Sequence, residues 1–266
     1  MHKINYKNLF NVRNKTVLIV GGSGLVGGEL SNAFAQLGSK VIIADNNLDE
    51  SKKIINKNPK KNISHLFIDL FNKEHLEKRF INILKKLKKV DIFINASYPA
   101  TKDWAKNNFK EIKYDSLKTN IEYQLISYAW LSRCVANHMI KNKINGSIIN
   151  FGSIYGVVGQ NLNNYKKTKM KESLTYAIVK GGIINLTKLM ASYYGKFNIR
   201  VNCISPGGLK GPVVGLSRKQ DKNFLKQYSN NVPMKRIGSA NEICGATIFL
   251  GSDASSYVTG INLLVD

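Results

Sequence analysis

Tyr176 and Lys180, in the run Tyr-Ala-Ile-Val-Lys, stand four residues apart and so share one face of any helix they occupy. An ammonium beside a phenol favours the phenolate, and a tyrosine so placed can move a proton to and from an alcohol. Spacing alone does not select this pair, because Tyr98/Lys102, Tyr114/Lys118 and Tyr165/Lys169 repeat it. Only Tyr176/Lys180 opens a sustained helical period, carried by Ile183, Leu186, Leu189 and Met190. Gly181-Gly182 follow directly and permit a close backbone approach.

A second segment, Gly21-Gly22-Ser23-Gly24-Leu25-Val26-Gly27, has the composition of a phosphate cradle. Glycines between a strand and a helix let the backbone turn tightly against a pyrophosphate, and the helix N-terminus supplies free N–H groups. Asp45 lies 24 residues beyond Gly21, at the end of the next apolar run. There a carboxylate can accept hydrogen bonds from adenosine ribose hydroxyls and repel a 2′-phosphate. Asn46 and Asn47 follow it, not Arg or Lys, so NAD is the expected cofactor and NADP the alternative.

These residues need a scaffold that alternates strand and helix, and the apolar patterning supplies one. Thr16–Val20, Lys40–Ala44, Ser64–Ile68, Val90–Asn95, Ser147–Phe151, Arg200–Ser205 and Asn262–Val265 read as buried strands. Gly28–Leu37, Asn47–Asn58, Lys73–Lys88, Asp115–Ile140, Leu174–Tyr194 and Asn241–Leu250 read as helices. The pattern predicts an α/β fold: a doubly wound parallel sheet of the Rossmann kind, in a single domain over residues 1–266.

Composition narrows the function. The 266 residues carry 40 Lys+Arg against 17 Asp+Glu, a formal charge of +23. Such a charge is a footprint of nucleic-acid binding. Yet 34 of the basic residues are Lys and only 6 are Arg, and Asn and Ile are also abundant, as a base-composition bias would leave them. Base and phosphate recognition favours the Arg fork, so no nucleic-acid partner is expected. Cys134, Cys203 and Cys244 are far apart and the four histidines are scattered, which predicts neither a disulfide framework nor a metal site. The polar first 16 residues and the absence of a long apolar run predict a cytoplasmic protein with no signal peptide and no membrane span.

Taken together, roughly residues 12–266 resemble the short-chain dehydrogenase/reductase family. The matching pieces are the glycine segment, Asp69-Leu70, Asn95-Ala96-Ser97, Gly152-Ser153-Ile154-Tyr155-Gly156, Tyr176/Lys180, Ile199-Arg200-Val201-Asn202, Ser205-Pro206-Gly207-Gly208 and the run from Ser252 to Gly260. Lys180 lies 19 residues before Ile199, the family's separation, which sets it apart from Lys169. The resemblance implies hydride transfer between a nicotinamide cofactor and a secondary alcohol or ketone. Tyr176 would be the acid/base. Lys180 would hold the nicotinamide ribose and lower the tyrosine pKa, and Ser153 would bind the substrate oxygen. Gly21, Ser23, Gly24, Val26, Gly27, Asp45, Asp69, Leu70, Asn95, Ala96, Ser97, Pro206, Gly207 and Leu209 would line the cofactor. The family implies a homodimer or homotetramer and a small polar substrate.

Four departures from the family pattern stand out. Leu25 replaces the usual middle glycine, giving the Gly21-Gly24-Gly27 spacing of the sugar-nucleotide branch, while length and C-terminal motifs follow the shorter branch. The family's relay asparagine aligns with Gln124, with Asn120 the nearby alternative. Ser153 and Tyr176 are 23 residues apart, well beyond the family's habit, so an extra polar segment at residues 160–173 is expected to fold over the active-site mouth. That insertion resembles a subgroup associated with bacterial surface-sugar and flagellin-glycan pathways. The chain ends at Val265-Asp266, where relatives continue with glycines. Residues 209–232 correspond to the family's substrate-covering segment, and their Lys210, Arg218, Lys219 and Lys222 could attract an anionic substrate. A 3-oxoacyl reductase using NADP, and a non-catalytic Rossmann-type binding protein, are the competing readings.

Overall fold

The computed structural model describes residues 6–72, 75–212 and 220–266. Its strands are β1 (Thr16–Val20), β2 (Lys40–Asp45), β3 (Ile63–Phe67), β4 (Ile92–Asn95), β5 (Ser147–Phe151), β6 (Arg200–Pro206), β7 (Leu209–Lys210), β8 (Gly238–Ser239) and β9 (Asn262–Val265). The helices are α1 (Leu25–Gln36), α2 (Leu48–Lys57), α3 (Leu76–Leu87), α4 (Tyr114–Ile121), α5 (Ser127–Lys141), α6 (Leu174–Tyr194), α7 (Lys222–Asn231) and α8 (Ile243–Gly251). Seven strands form one sheet in the order β3-β2-β1-β4-β5-β6-β9, every neighbouring pair parallel. β7 and β8 pair separately beyond the end of β6.

The sheet is doubly wound because its central strands are apolar on both faces. Leu18 and Val20 of β1 point into a core with Phe93, Ile148 and Val201, closed by α3, α5 and α6. Val17 and Ile19 point the other way, against Ile43, Ile94 and Ile204, and α1 and α8 cover them. Period-2 alternation thus delivers consecutive residues to opposite cores, and a continuous apolar run is the result.

The predicted strands are all present. The helices differ at their ends and in one interior. α1 begins at Leu25, three residues ahead of the predicted start, since Gly24 already serves as its N-cap. The helix predicted over Asp115–Ile140 runs from Tyr114 to Lys141 as α4 and α5, joined by a π-helical turn over Glu122–Ile126, with Gln124 at its middle. Such a wide turn inserts a residue into the helical ladder and redirects the side chains it carries. Lys73, Arg218 and Lys219, which figured in the sequence reading, lie outside the described residues.

Candidate active site

The cofactor and catalytic candidates lie at or just beyond the carboxyl ends of β1 to β6, on the start of α6 and, for Gln124, on the turn between α4 and α5. β1 lies between β2 and β4, so the chain departs in opposite directions on either side of the crevice beyond its end. The glycine segment fills this crevice. Gly21 has φ +73°, and a Cβ there would stand 2.6 Å from Ser97 Cα. A Cβ on Gly27 would stand 2.0 Å from the Gly21 carbonyl oxygen. Gly24 caps α1 with no side-chain acceptor, which leaves the first-turn N–H groups directed at the crevice. Backbone shape and open donors of this kind fit the pyrophosphate of a dinucleotide. Val26 faces the core beside α1 and contributes only its backbone to the loop.

Asp45 is tied into the same loop. One carboxylate oxygen accepts from Ser23 N at 3.0 Å and the other from Asn47 N at 3.0 Å. A carboxylate has about four acceptor positions, so two bonds leave room for ribose hydroxyls. Asp69 accepts from Phe71 N at 3.0 Å, which fixes the turn after β3. Leu70 is buried in the core and presents no side chain to the crevice. Asn95, fully buried at the end of β4, accepts from the Ser97 hydroxyl at 2.7 Å, and its amide nitrogen has no partner among the described residues. Ala96 N donates to Val20 O at 2.9 Å and so locks the motif onto β1.

On the other side of the crevice, Ser153 follows β5 and its hydroxyl accepts from Tyr155 N at 3.2 Å. Ser173 caps α6 by accepting from Tyr176 N at 3.2 Å, and this sets the acid/base candidate in the first turn. Leu174 N donates to Asn107 O at 2.9 Å, and the buried Asn107 amide oxygen accepts from the Thr175 hydroxyl. The start of α6 is therefore held by the loop after β4. Lys180 is buried one turn further on and donates to Phe151 O at 2.8 Å. Its ammonium lies 5.7 Å from the Tyr176 ring centroid and 5.6 Å from those of Tyr98 and Tyr128.

The electrostatics depart from the sequence expectation. Burial pushes the Lys180 pKa down to about 8. The Tyr176 phenol is raised, not lowered: burial dominates and the adjacent Ser153 hydroxyl opposes it. The Lys180 ammonium, bonded to the Phe151 carbonyl, is not among the causes of that shift. Gln124 reaches the interior from the π-helical turn, and neither its amide oxygen nor its nitrogen has a partner among the described residues. Asn120, the alternative, is committed to the loop: it accepts from Thr101 N at 3.0 Å and donates to the Thr101 hydroxyl and Ser116 O, both at 2.8 Å. At the end of β6, Gly207 N donates to Val265 O at 2.9 Å, Gly207 packs on the Asp266 carboxylate, and Gly208 packs on the Tyr228 ring. Leu209 begins β7.

Sequence reasoning missed an aromatic wall. Tyr98, Trp104 and Tyr155 present ring edges to Tyr176, with centroids 5.7, 6.4 and 6.5 Å away. Tyr98 was visible only as one of the unselective Tyr/Lys spacings, and nothing local in the sequence marks its contact with Tyr176. The polar segment at residues 160–173 lies across α7. Tyr165 stacks on Phe224 at 5.9 Å, Asn231 donates to Asn164 at 2.7 Å, and Asn223 donates to Lys167 O at 3.1 Å. It thus joins the segment expected to cover the substrate. No group of His, Cys, Asp or Glu among the described residues could hold a metal ion, and no helix among them is long and apolar enough to cross a membrane.

A family model of the short-chain dehydrogenase type, described as enoyl-(acyl carrier protein) reductase, matches residues 24–266. The chain belongs to the short-chain dehydrogenase/reductase family. Post-translational flagellin modification protein A of Campylobacter coli is 33% identical over 258 residues, covering 96% of this chain and 98% of that protein. The 3-oxoacyl-[acyl-carrier-protein] reductase FabG of Buchnera aphidicola is 29% identical over 264 residues, with 96% and 97% covered. Among solved structures, a short-chain dehydrogenase of Leptospira borgpetersenii with bound NAD+ superposes with a TM-score of 0.83 at 29% identity, covering 100% of this chain and 96% of that one. The family assignment agrees with the resemblance read from the motifs, and the match spans the insertion as well as the Rossmann core.

Proposed function

We propose that this short-chain dehydrogenase/reductase is a cytoplasmic oxidoreductase that interconverts a secondary alcohol and a ketone on a polar, sugar-derived substrate, with NAD as cofactor. The observation that carries the reading is the meeting of Ser153, Tyr176 and Lys180 beside the glycine crevice. The crevice would hold the dinucleotide through the N–H groups of the Gly21–Gly27 loop and through Asp45, Asp69 and Asn95, with the Pro206–Leu209 backbone near the carboxamide. A dinucleotide held there would supply the hydride chemistry at the carbinol carbon.

The remaining work falls to the chain. Ser153 donates to the substrate oxygen and keeps it against Tyr176. In oxidation Tyr176 takes the hydroxyl proton, and in reduction it returns one to the new alkoxide oxygen. The raised phenol of the unliganded protein needs a cation to reach this state, and Lys180 is the buried ammonium within reach. Gln124, with both amide atoms free, fits the role of holding a water behind Lys180. Exposed apolar residues of α6, Leu189 and Tyr193, support self-association as a dimer or tetramer.

Reduction of 3-oxoacyl thioesters with NADPH is the second reading, favoured by the likeness to FabG. Asp45 and the polar insertion weigh against it. The deciding experiment is a screen of polyols, sugars and 3-oxoacyl thioesters with both cofactors, followed by absorbance at the nicotinamide band. NAD-linked turnover of a polyol or sugar supports the proposal, and NADPH-linked thioester reduction alone overturns it. Absence of all turnover, with cofactor still bound, would point to a non-catalytic binding protein.

A further inference from the structure

Tyr155 differs from the other tyrosines of the wall. Its hydroxyl is buried, yet it makes no hydrogen bond among the described residues. The Asn164, Tyr165 and Tyr228 side chains and the Asp266 carboxylate lie close enough to influence it. Two of these neighbours hold other bonds: the Tyr165 hydroxyl donates to the Gln160 amide oxygen at 3.0 Å, and the Asn164 amide oxygen accepts from Asn231 at 2.7 Å. A buried hydroxyl left without a partner is unfavourable, and native proteins retain few such groups.

Its position gives the group a use. Tyr155 is two residues beyond Ser153, and its ring lies 6.5 Å from the Tyr176 ring. A molecule with its carbinol against Ser153 and Tyr176 would have its neighbouring carbons within reach of Tyr155. Tyr98 and Trp104 flank the same space with apolar ring surface. Gln160 anchors the insertion by accepting from Ser173 N at 3.0 Å and donating to Ser173 O at 3.2 Å, so Asn164 and Tyr165 are brought over the Tyr155 hydroxyl by the segment this chain adds to the common scaffold.

We propose that Tyr155 is a specificity-determining residue that reads a second oxygen of the substrate, so that the substrate class is polyhydroxylated, with a further hydroxyl a few bonds from the reacting carbinol. The assignment rests on the proposed oxidoreductase activity and adds what the site selects. The Tyr155 hydroxyl bonds to that second oxygen, and the aromatic wall covers the carbon face between the two oxygens. An acyl chain in the same place would leave the hydroxyl unpaired.

The test compares the unmodified protein with Tyr155→Phe on pentitols and hexoses, each paired with the analogue lacking one hydroxyl near the reacting carbon. The unmodified protein is expected to favour one polyol over its deoxy analogue in kcat/KM by about tenfold, mainly through KM. In Tyr155→Phe the ratio should fall to about one. Thermal unfolding of the unliganded variant supplies a readout that a structural role would not give. Removing an unpaired buried hydroxyl should leave Tm the same or raise it by roughly a degree or two. An unchanged ratio in Tyr155→Phe, or a lowered Tm with loss of turnover on every alcohol, overturns the assignment while the oxidoreductase reading stands. Failure of the unmodified protein to oxidise or reduce any member of the panel with either cofactor overturns both.

Discussion

The two walls of the crevice are built differently. The nucleotide wall is made of backbone: a glycine at positive φ, a second glycine with no room for a Cβ, and an uncapped helix end. Its carboxylates are already braced against main-chain N–H groups. The substrate wall is made of side chains from separate places, namely the loop after β4, the turn after β5, the insertion and α7. It holds the Tyr155 hydroxyl without a hydrogen-bond partner among the described residues. A wall of backbone suits an invariant ligand part, since peptide groups offer the same donors whatever the sequence. A wall of side chains can be respecified residue by residue, and its unpaired groups are set aside for what binds.

The sharpest way to separate the walls is Tyr176→Phe. It should lower kcat by about 10²-fold or more, the usual worth of a positioned acid/base, with NADH affinity by fluorescence titration nearly retained. Substantial residual turnover would remove Tyr176 from the proton transfer. Gly27→Ala acts on the opposite wall. Its Cβ meets the Gly21 carbonyl oxygen at 2.0 Å, so the loop must shift, at a cost of about 1–3 kcal/mol of stability and with loss of NADH binding. Trp104→Phe should leave NADH binding close to that of the unmodified protein, and a parallel loss there would show that the walls are not independent.

Lys180 sits between the walls and gives a pH signature. Its pKa is lowered to about 8 in the fold against 10.5 for a free side chain. Between those values the unfolded chain binds more protons at this side chain than the folded one, so the Lys180 contribution to stability grows with pH, by about 2 kcal/mol from pH 8 to pH 10. The buried thiols of Cys203 and Cys244, pushed up to about 11, and the raised phenols of Tyr98 and Tyr128 act in the opposite sense above about pH 9. The Lys180 part is therefore read as a difference: in urea unfolding of the unliganded proteins, the stability of the unmodified protein relative to Lys180→Met should grow from about pH 8 to about pH 10. The smallest effect is expected at Asp45. Asp45→Ala should erode the preference for NADH over NADPH by about tenfold, the worth of one charge-assisted contact. Tighter NADPH binding by the unmodified protein would refute the role given to this carboxylate.

The strands and the glycine motif were legible because their causes are local. An apolar run of five residues between turns has few alternatives to a buried strand, and Gly21 through Gly27 must turn at the end of one. The choice of Tyr176 among four equal spacings was legible from the helix that follows it. The π-helical turn at Gln124 was not, since a one-residue shift of the apolar period within a long helix is easily lost among its polar and apolar positions. Nor was the state of Lys180: its reach to the Phe151 carbonyl and its lowered pKa arise from residues 29 positions away in the chain.

By itself the sequence determined the order of the elements and the glycine segment, which follow from propensities and spacings within one turn or one strand, while Ser153, Tyr176 and Lys180 were singled out by their resemblance to the family's motifs. Tertiary structure alone decided that Tyr98, Trp104 and Tyr155 would stand around Tyr176 and that Asn107 would hold the start of α6. It also decided which buried polar groups would be left without partners. The physical reason is that burial, and with it hydrogen-bond satisfaction and pKa, depends on contacts between segments far apart in the chain, and no local pattern encodes those contacts.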